Sequence, residues 1–196
     1  MNSETIFRLL TAIIFFTTLF VGGYFRRKAE REGGQMRSNE GNKLVIVLRI
    51  LGLIVILPLL IYLINPQWVT WAQMPLPNWL RWSGAVAATL MIPLIAWMFL
   101  SIGNNITATQ STRQDHQLVT SGPYRFIRHP LYTFGFIFCL GITCLSALWW
   151  LGVGMIPPMI ILMLRTPIEE ARLIDAFGDD YRNYMKRTGR FFPKLL

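Results

Sequence analysis

From Leu131 to Leu164 the chain carries no formal charge. About 20 apolar residues cross a bilayer core, so this run is too long for one spanning helix and enough for two short ones. It is entered from Ser121-Gly-Pro-Tyr-Arg-Phe-Ile-Arg-His-Pro-Leu-Tyr132, where two arginines, a histidine and two tyrosines gather around two prolines. Charge beside hydrocarbon is costly unless it binds something, so ionisable groups placed here are functional candidates. The segment frames the question of which polar ligand is held at the membrane surface.

Composition places the whole chain in the same class. Of 196 residues, 53% are hydrophobic and 15% charged, where soluble domains carry about 25% charged residues. The expected fold is an all-α integral membrane protein. Apolar runs at 5–25, 44–64, 80–102, 131–147 and 149–165 predict about five transmembrane helices, the last two a tight hairpin with its tip near Ser146 to Gly154.

The net charge of +9 is not spread evenly. Six Lys and Arg fall in 26–43, three in 103–130 and seven from 165 onward, while the connection 65–79 has none. In a five-span arrangement these groups share one side, as the positive-inside rule requires, which makes the protein multi-pass with its C-terminus and the basic segments cytoplasmic. The basic charge is therefore a topology signal with some attraction to membrane lipids, and nucleic acid is not expected as a partner. Basic residues follow the first apolar run rather than precede it, and no small-residue cleavage site is visible, which argues against a signal peptide.

Residues 1–102 read as a three-span membrane scaffold. Pro58 and Pro93 are of a kind that neighbouring helices accommodate. Arg49 and Arg81 lie near span ends, placed to snorkel. Trp68, Trp71, Trp79 and Trp82 form an aromatic belt. Residues 103–196 read as the site-bearing half of the same domain: a polar ligand-binding loop, the helical hairpin and a C-terminal amphipathic helix. The connection 103–120 is rich in Asn, Gln and Thr, suited to a polar ligand or to a solvated linker. In the tail, Ile168, Ile174, Phe177, Tyr181, Tyr184 and Met185 keep a helical period against a charged face, with Gly178 interrupting and Gly189 ending it. Such a helix lies along the interface or closes over the loop as a lid. Cys139 and Cys144 point to different helix faces and no zinc-type spacing exists, so no metal site is expected. Gly152-Val-Gly154 lacks the third glycine of a dinucleotide loop.

Three polar elements converge on one membrane face. They are the loop with Gln110 and His116, the Arg128-His129-Pro130-x-Tyr132 corner, and Arg165 with Glu169 and Glu170, where Arg165 and Glu169 share a face one turn apart. Each also has a plain reading. Arg165 can snorkel, Glu169 and Glu170 suit the start of a tail helix, Pro130 suits a first helical turn, and Arg128 can pair with either glutamate to order the corner.

At Leu118-Val-Thr-Ser-Gly-Pro-Tyr124, Arg128-His-Pro-Leu-Tyr132 and Glu169-Glu-Ala-Arg-Leu-Ile-Asp-Ala-Phe-Gly178-Asp-Asp-Tyr181, ending near Phe192-Pro193, the chain resembles the isoprenylcysteine carboxyl methyltransferase family. The specific part is the order of these pieces around an uncharged hairpin, within a wider superfamily that includes phospholipid methyltransferases. The resemblance implies S-adenosylmethionine as cofactor, lined by Gln110, His116, Gln117, Leu118, Val119, Tyr124, His129, Pro130, Leu131, Tyr132 and Glu169. It implies Arg165 as the catalytic residue holding the carboxylate of an isoprenoid-cysteine-like lipophilic substrate that enters from the bilayer. An arginine fork matches a carboxylate bidentately, and a carboxylate already ionised at neutral pH needs no general base. Two other readings stay open. One is transfer to a phospholipid amine, which requires a base such as Glu170 or His129. The other is a non-enzymatic lipid-binding membrane scaffold.

Overall fold

The structure is a computed structural model that describes residues 2–32, 42–103 and 118–194. Its helices are α1 (Ser3–Glu32), α2 (Asn42–Ile64), α3 (Asn78–Ile102), α4 (Pro130–Ser146), α5 (Trp149–Gly154), α6 (Ile156–Phe177) and α7 (Asp179–Arg187). Two 3-10 segments, Pro66–Ala72 and Gly122–Arg125, complete the regular elements among the described residues. Four stretches are long and apolar enough to cross a membrane: Ser3–Ala29, Ile46–Ile64, Asn78–Ile102 and Trp149–Phe177. With α4, a shorter apolar helix of 17 residues, they make an all-α integral membrane bundle of about the expected number of spans. At 1.5 Å per residue α4 rises roughly 25 Å, slightly less than a typical hydrocarbon core.

Small residues set the closest helix pair. A Cβ on Gly84 of α3 would lie 2.6 Å from the Gly141 carbonyl oxygen of α4, and one on Gly141 would lie 2.8 Å from the Ala88 nitrogen. Helices in lipid gain no hydrophobic drive toward one another, so close backbone approach through Gly and Ala supplies much of their association. Leu145 and Ile142 of α4 then pack with Ala85 and Ala88 of α3, Phe7 and Ile14 of α1, and Leu59 of α2 in one buried cluster. Pro58 and Pro93 stay inside α2 and α3 without ending them.

Arg81 does not snorkel. It is 7% exposed and turned into the bundle. Its Nε donates to the Leu145 carbonyl at 3.0 Å, and its terminal nitrogens donate to the Glu4 carboxylate at 2.5 and 3.2 Å and to the Tyr62 hydroxyl at 3.3 Å. Tyr62 in turn donates to Glu4 at 2.6 Å, and the Phe7 ring lies 4.0 Å from the guanidinium. One arginine thus finds partners on α1, α2 and α4 at once, which removes the reason for it to reach toward water.

The connection between α4 and α6 holds a further turn of helix, α5, entered through Ala147 at φ +55. Trp149 and Trp150 sit there against Trp71, with Trp149 Nε1 donating to the Trp71 carbonyl at 3.0 Å. Beyond it, the fifth span and the first part of the tail are a single helix. α6 runs unbroken to Phe177 with Pro167 inside it, so the tail does not begin a separate helix near Ile168. The break comes at Gly178, whose φ of +57 few other residues adopt cheaply. α7 follows with Asp179 and Asp180 in its first turn and Lys186 and Arg187 in its last, matching the helix dipole.

Candidate active site

The ends of α3, α4 and α6 that meet the corner 118–129 lie at the same end of the bundle. Gly122 has φ +61, and a Cβ there would overlap the Ser101 side chain, so the corner seats directly on the end of α3. Pro130 occupies the first turn of α4 and His129 caps it. The segment after α7 then lies along the corner. Arg128 N donates to the Gly189 carbonyl at 2.9 Å, His129 N to the Arg190 carbonyl at 3.1 Å, and Gly189 N back to the Phe126 carbonyl at 3.1 Å. Gly189, expected to end the tail helix, follows its C-cap Thr188 directly and forms a parallel bridge with Ile127.

Glu170 is the hub. It is 2% exposed, and its carboxylate accepts from Arg128 Nε at 2.8 Å, from Arg190 at 2.5 Å and from His129 Nε2 at 3.4 Å. Arg128 also donates to the Thr188 and Met185 carbonyls. Charge-assisted bonds of this kind hold a buried carboxylate that would otherwise be costly. The pairing of Arg128 with a glutamate was one of the plain readings of the corner.

Beside this hub stands an aromatic wall. The His129 and Tyr132 rings are stacked, 5.5 Å between centroids and 4° from parallel, and Phe191 is tilted against both at 5.9 and 6.2 Å. Thr133 Oγ1 donates to the Phe191 carbonyl at 2.7 Å, fixing that end. Tyr132 donates its hydroxyl to Glu169 at 3.3 Å, and His129 Nδ1 lies 3.7 Å from the same carboxylate. Glu169 keeps 24% of its side chain exposed against 3% for Glu170. Neighbouring glutamates on one helix therefore differ sharply: one is enclosed, the other opens beside the rings. Arg165 lies one turn earlier on α6, half-buried, within the electrostatic reach of Glu169 and Arg172.

Tyrosines close the far side. Tyr184 donates to the Tyr124 carbonyl at 2.6 Å, and burial pushes its phenol up to about 12. Tyr181 is 1% exposed, and its hydroxyl makes no hydrogen bond among the described residues. Burial, reinforced by the Glu170 charge, holds the Tyr181 phenol well above its usual range.

Of the residues expected at a site, Tyr124, His129, Pro130, Tyr132, Glu169 and Arg165 fall in this neighbourhood. Leu118 and Val119 lie half-buried just before the corner, and Leu131 has 48% of its surface exposed. Gln110, His116 and Gln117 lie outside the described residues. Sequence reasoning missed Arg190, Phe191, Thr188 and the central place of Glu170. Arg190 and Phe191 follow the last helical turn, where no period flags them.

Fold and cluster define a helical membrane protein with a polar, aromatic-walled site at one bundle end. The chain belongs to the phospholipid methyltransferase family, whose sequence profile matches residues 79–180. It is similar to the cobalt-zinc-cadmium resistance protein CzcN of Cupriavidus metallidurans, 32% identical over 59% of this chain and 55% of that one. It is 29% identical to the methanethiol S-methyltransferase of Pseudomonas deceptionensis, over 60% of this chain and 44% of that one. With the protein-S-isoprenylcysteine O-methyltransferase of Schizosaccharomyces pombe it shares 35% identity over 47% of this chain and 39% of that one. The chain spans about half the length of the first two of these relatives. Among solved structures, the eukaryotic intramembrane Ras methyltransferase ICMT matches with a TM-score of 0.52 at 23% identity, covering 80% of this chain and 54% of that one. That likeness speaks for the fold.

Proposed function

We propose that the protein is an S-adenosylmethionine-dependent membrane methyltransferase acting on the carboxylate of an isoprenyl-cysteine-like lipophilic substrate. The observation that carries the reading is the pairing of Glu169 with the stacked His129 and Tyr132 rings, one helical turn from Arg165. The methyl donor is a cation with an ammonium group and a ribose. An open carboxylate and aromatic faces are the groups that hold such a ligand, and the orphaned Tyr181 hydroxyl nearby offers one further donor. The residues therefore fit the cofactor, which when bound supplies an electrophilic methyl on sulfur.

Glu169 accepts hydrogen bonds from the donor's polar end, while His129, Tyr132 and Tyr124 line its flank. Leu118 and Val119 continue that lining, with Gln110, His116 and Gln117 as further contacts, and Pro130 and Leu131 set the start of α4. Arg165 grips the substrate carboxylate and turns one oxygen toward the methyl. Orientation and exclusion of water then lower the barrier, since the nucleophile is already charged. The lipid tail lies in the bilayer and enters sideways between helices. Residues 1–102 serve as scaffold, residues 103–196 carry the chemistry, and the site faces the cytoplasm with the basic loops.

Transfer to an amine is disfavoured by one feature. Such a reaction needs a base, and Glu170 is already committed to Arg128, Arg190 and His129. The test is to incubate purified protein with radiolabelled methyl donor and a panel of prenyl-cysteine and phospholipid acceptors. Label should enter a base-labile ester of the prenyl-cysteine at a rate flat through neutral pH. Label confined to the phospholipid amine, at a rate rising with pH, overturns the carboxylate assignment.

A further inference from the structure

We propose that the outward face of the basic end of α1 is a binding site for one anionic phospholipid of the surrounding leaflet. A cavity of about 630 Å³ opens there, lined by Phe20, Gly23, Tyr24, Arg27, Lys28 and Arg31 among others. These recur at intervals of three and four, so they share one side of the helix. The opposite side is engaged by the protein: Ala29 is 2% exposed, and Phe25 stacks on Phe99 of α3 at 5.6 Å and 18°. The groove therefore faces away from the bundle, toward lipid, and is separate from the cluster around Glu170.

The order along the groove matches the order across half a bilayer. Phe20 and Gly23 come first, at hydrocarbon depth. Tyr24 follows, an aromatic of interfacial type, and then the three cations at headgroup level. Arg27, Lys28 and Arg31 are all exposed, and none of them enters an ion pair with Glu4, Glu169, Glu170 or Asp179, the carboxylates that hold ion pairs elsewhere among the described residues. Gly23 leaves the floor open, since a Cβ there would meet nothing within 4 Å. A phosphate-bearing lipid satisfies both parts, its headgroup among the cations and one acyl chain against Phe20 and over Gly23. A soluble anion would use only the charged end.

Native mass spectrometry of the purified protein in detergent tests this, with phosphatidylglycerol and phosphatidylcholine of identical chains titrated separately. One phosphatidylglycerol should be retained at least tenfold more tightly than phosphatidylcholine. Combined Arg27→Gln, Lys28→Gln and Arg31→Gln should weaken it on the order of a hundredfold, each charge contributing about fivefold. Gly23→Leu keeps every charge, fits open space, and should weaken retention several-fold by filling the chain groove. Equal retention of the two lipids overturns the proposal, as does unchanged retention in either variant. Displacement of the lipid by inorganic phosphate at low millimolar concentration also overturns it, by making the site one for a soluble anion.

Discussion

Arg128 Nε lies 2.8 Å from the Glu170 carboxylate, joining the entrance of the fourth span to a helix 42 residues further along the chain. Both side chains are almost fully enclosed. Together with the bonds from Arg190 and His129 to the same carboxylate, this bond fixes the phase of α6, and with it the direction in which Glu169, one residue earlier, faces the stacked rings of His129 and Tyr132.

Removing one partner of an enclosed ion pair leaves the other without compensation, at a cost of about 3–5 kcal/mol. Glu170→Gln should therefore lower thermal stability in detergent substantially, whereas Glu169→Gln should leave it nearly unchanged. Equal melting temperatures for the two variants would contradict the division of roles.

Tyr181 makes the opposite kind of prediction. An unsatisfied buried hydroxyl costs about 1–3 kcal/mol, so Tyr181→Phe should hold or raise the stability of the free protein. If that hydroxyl meets the methyl donor, the same change should weaken donor binding about fivefold, the worth of one ordinary hydrogen bond. A loss of stability without donor would show a partner already present.

Arg165→Ala should reduce turnover by about a hundredfold or more while sparing donor affinity, because the arginine is assigned to the acceptor. Arg165→Lys should recover only part of the rate, since an ammonium lacks the bidentate fork. Single-turnover labelling beside a donor titration separates the two effects.

The α3–α4 contact predicts a packing failure. Gly141→Ala places a methyl 2.8 Å from the Ala88 nitrogen, and relief of such overpacking costs about 1–3 kcal/mol. Gly22→Ala, with nothing within 4 Å, is the matched control and should melt like the parent. Indistinguishable melts for the two would place the helices further apart.

Much of the fold was legible because long apolar runs admit few alternatives. Asn78–Ile102 and Pro130–Ser146 lie within two residues of the runs read at 80–102 and 131–147. The corner was legible because charge beside hydrocarbon draws attention wherever it falls. Arg81 was not, since a position near a span end says nothing of Glu4, Tyr62 and Leu145 waiting on three other helices. The roles of Glu169 and Glu170 were not separable either. Adjacent positions differ by 100° around a helix, and only the docking of Arg128, His129 and Arg190 decides which one turns inward. Arg190 and Phe191 reach the site in a bent segment after α7, which leaves no periodic trace.

The most direct measurement is calorimetric titration of S-adenosylmethionine into the parent protein and into Glu169→Ala, both in detergent. One donor should bind per chain in the parent, and the variant should bind at least tenfold more weakly with little change in melting temperature. No binding to the parent, or equal binding to both, would contradict the account.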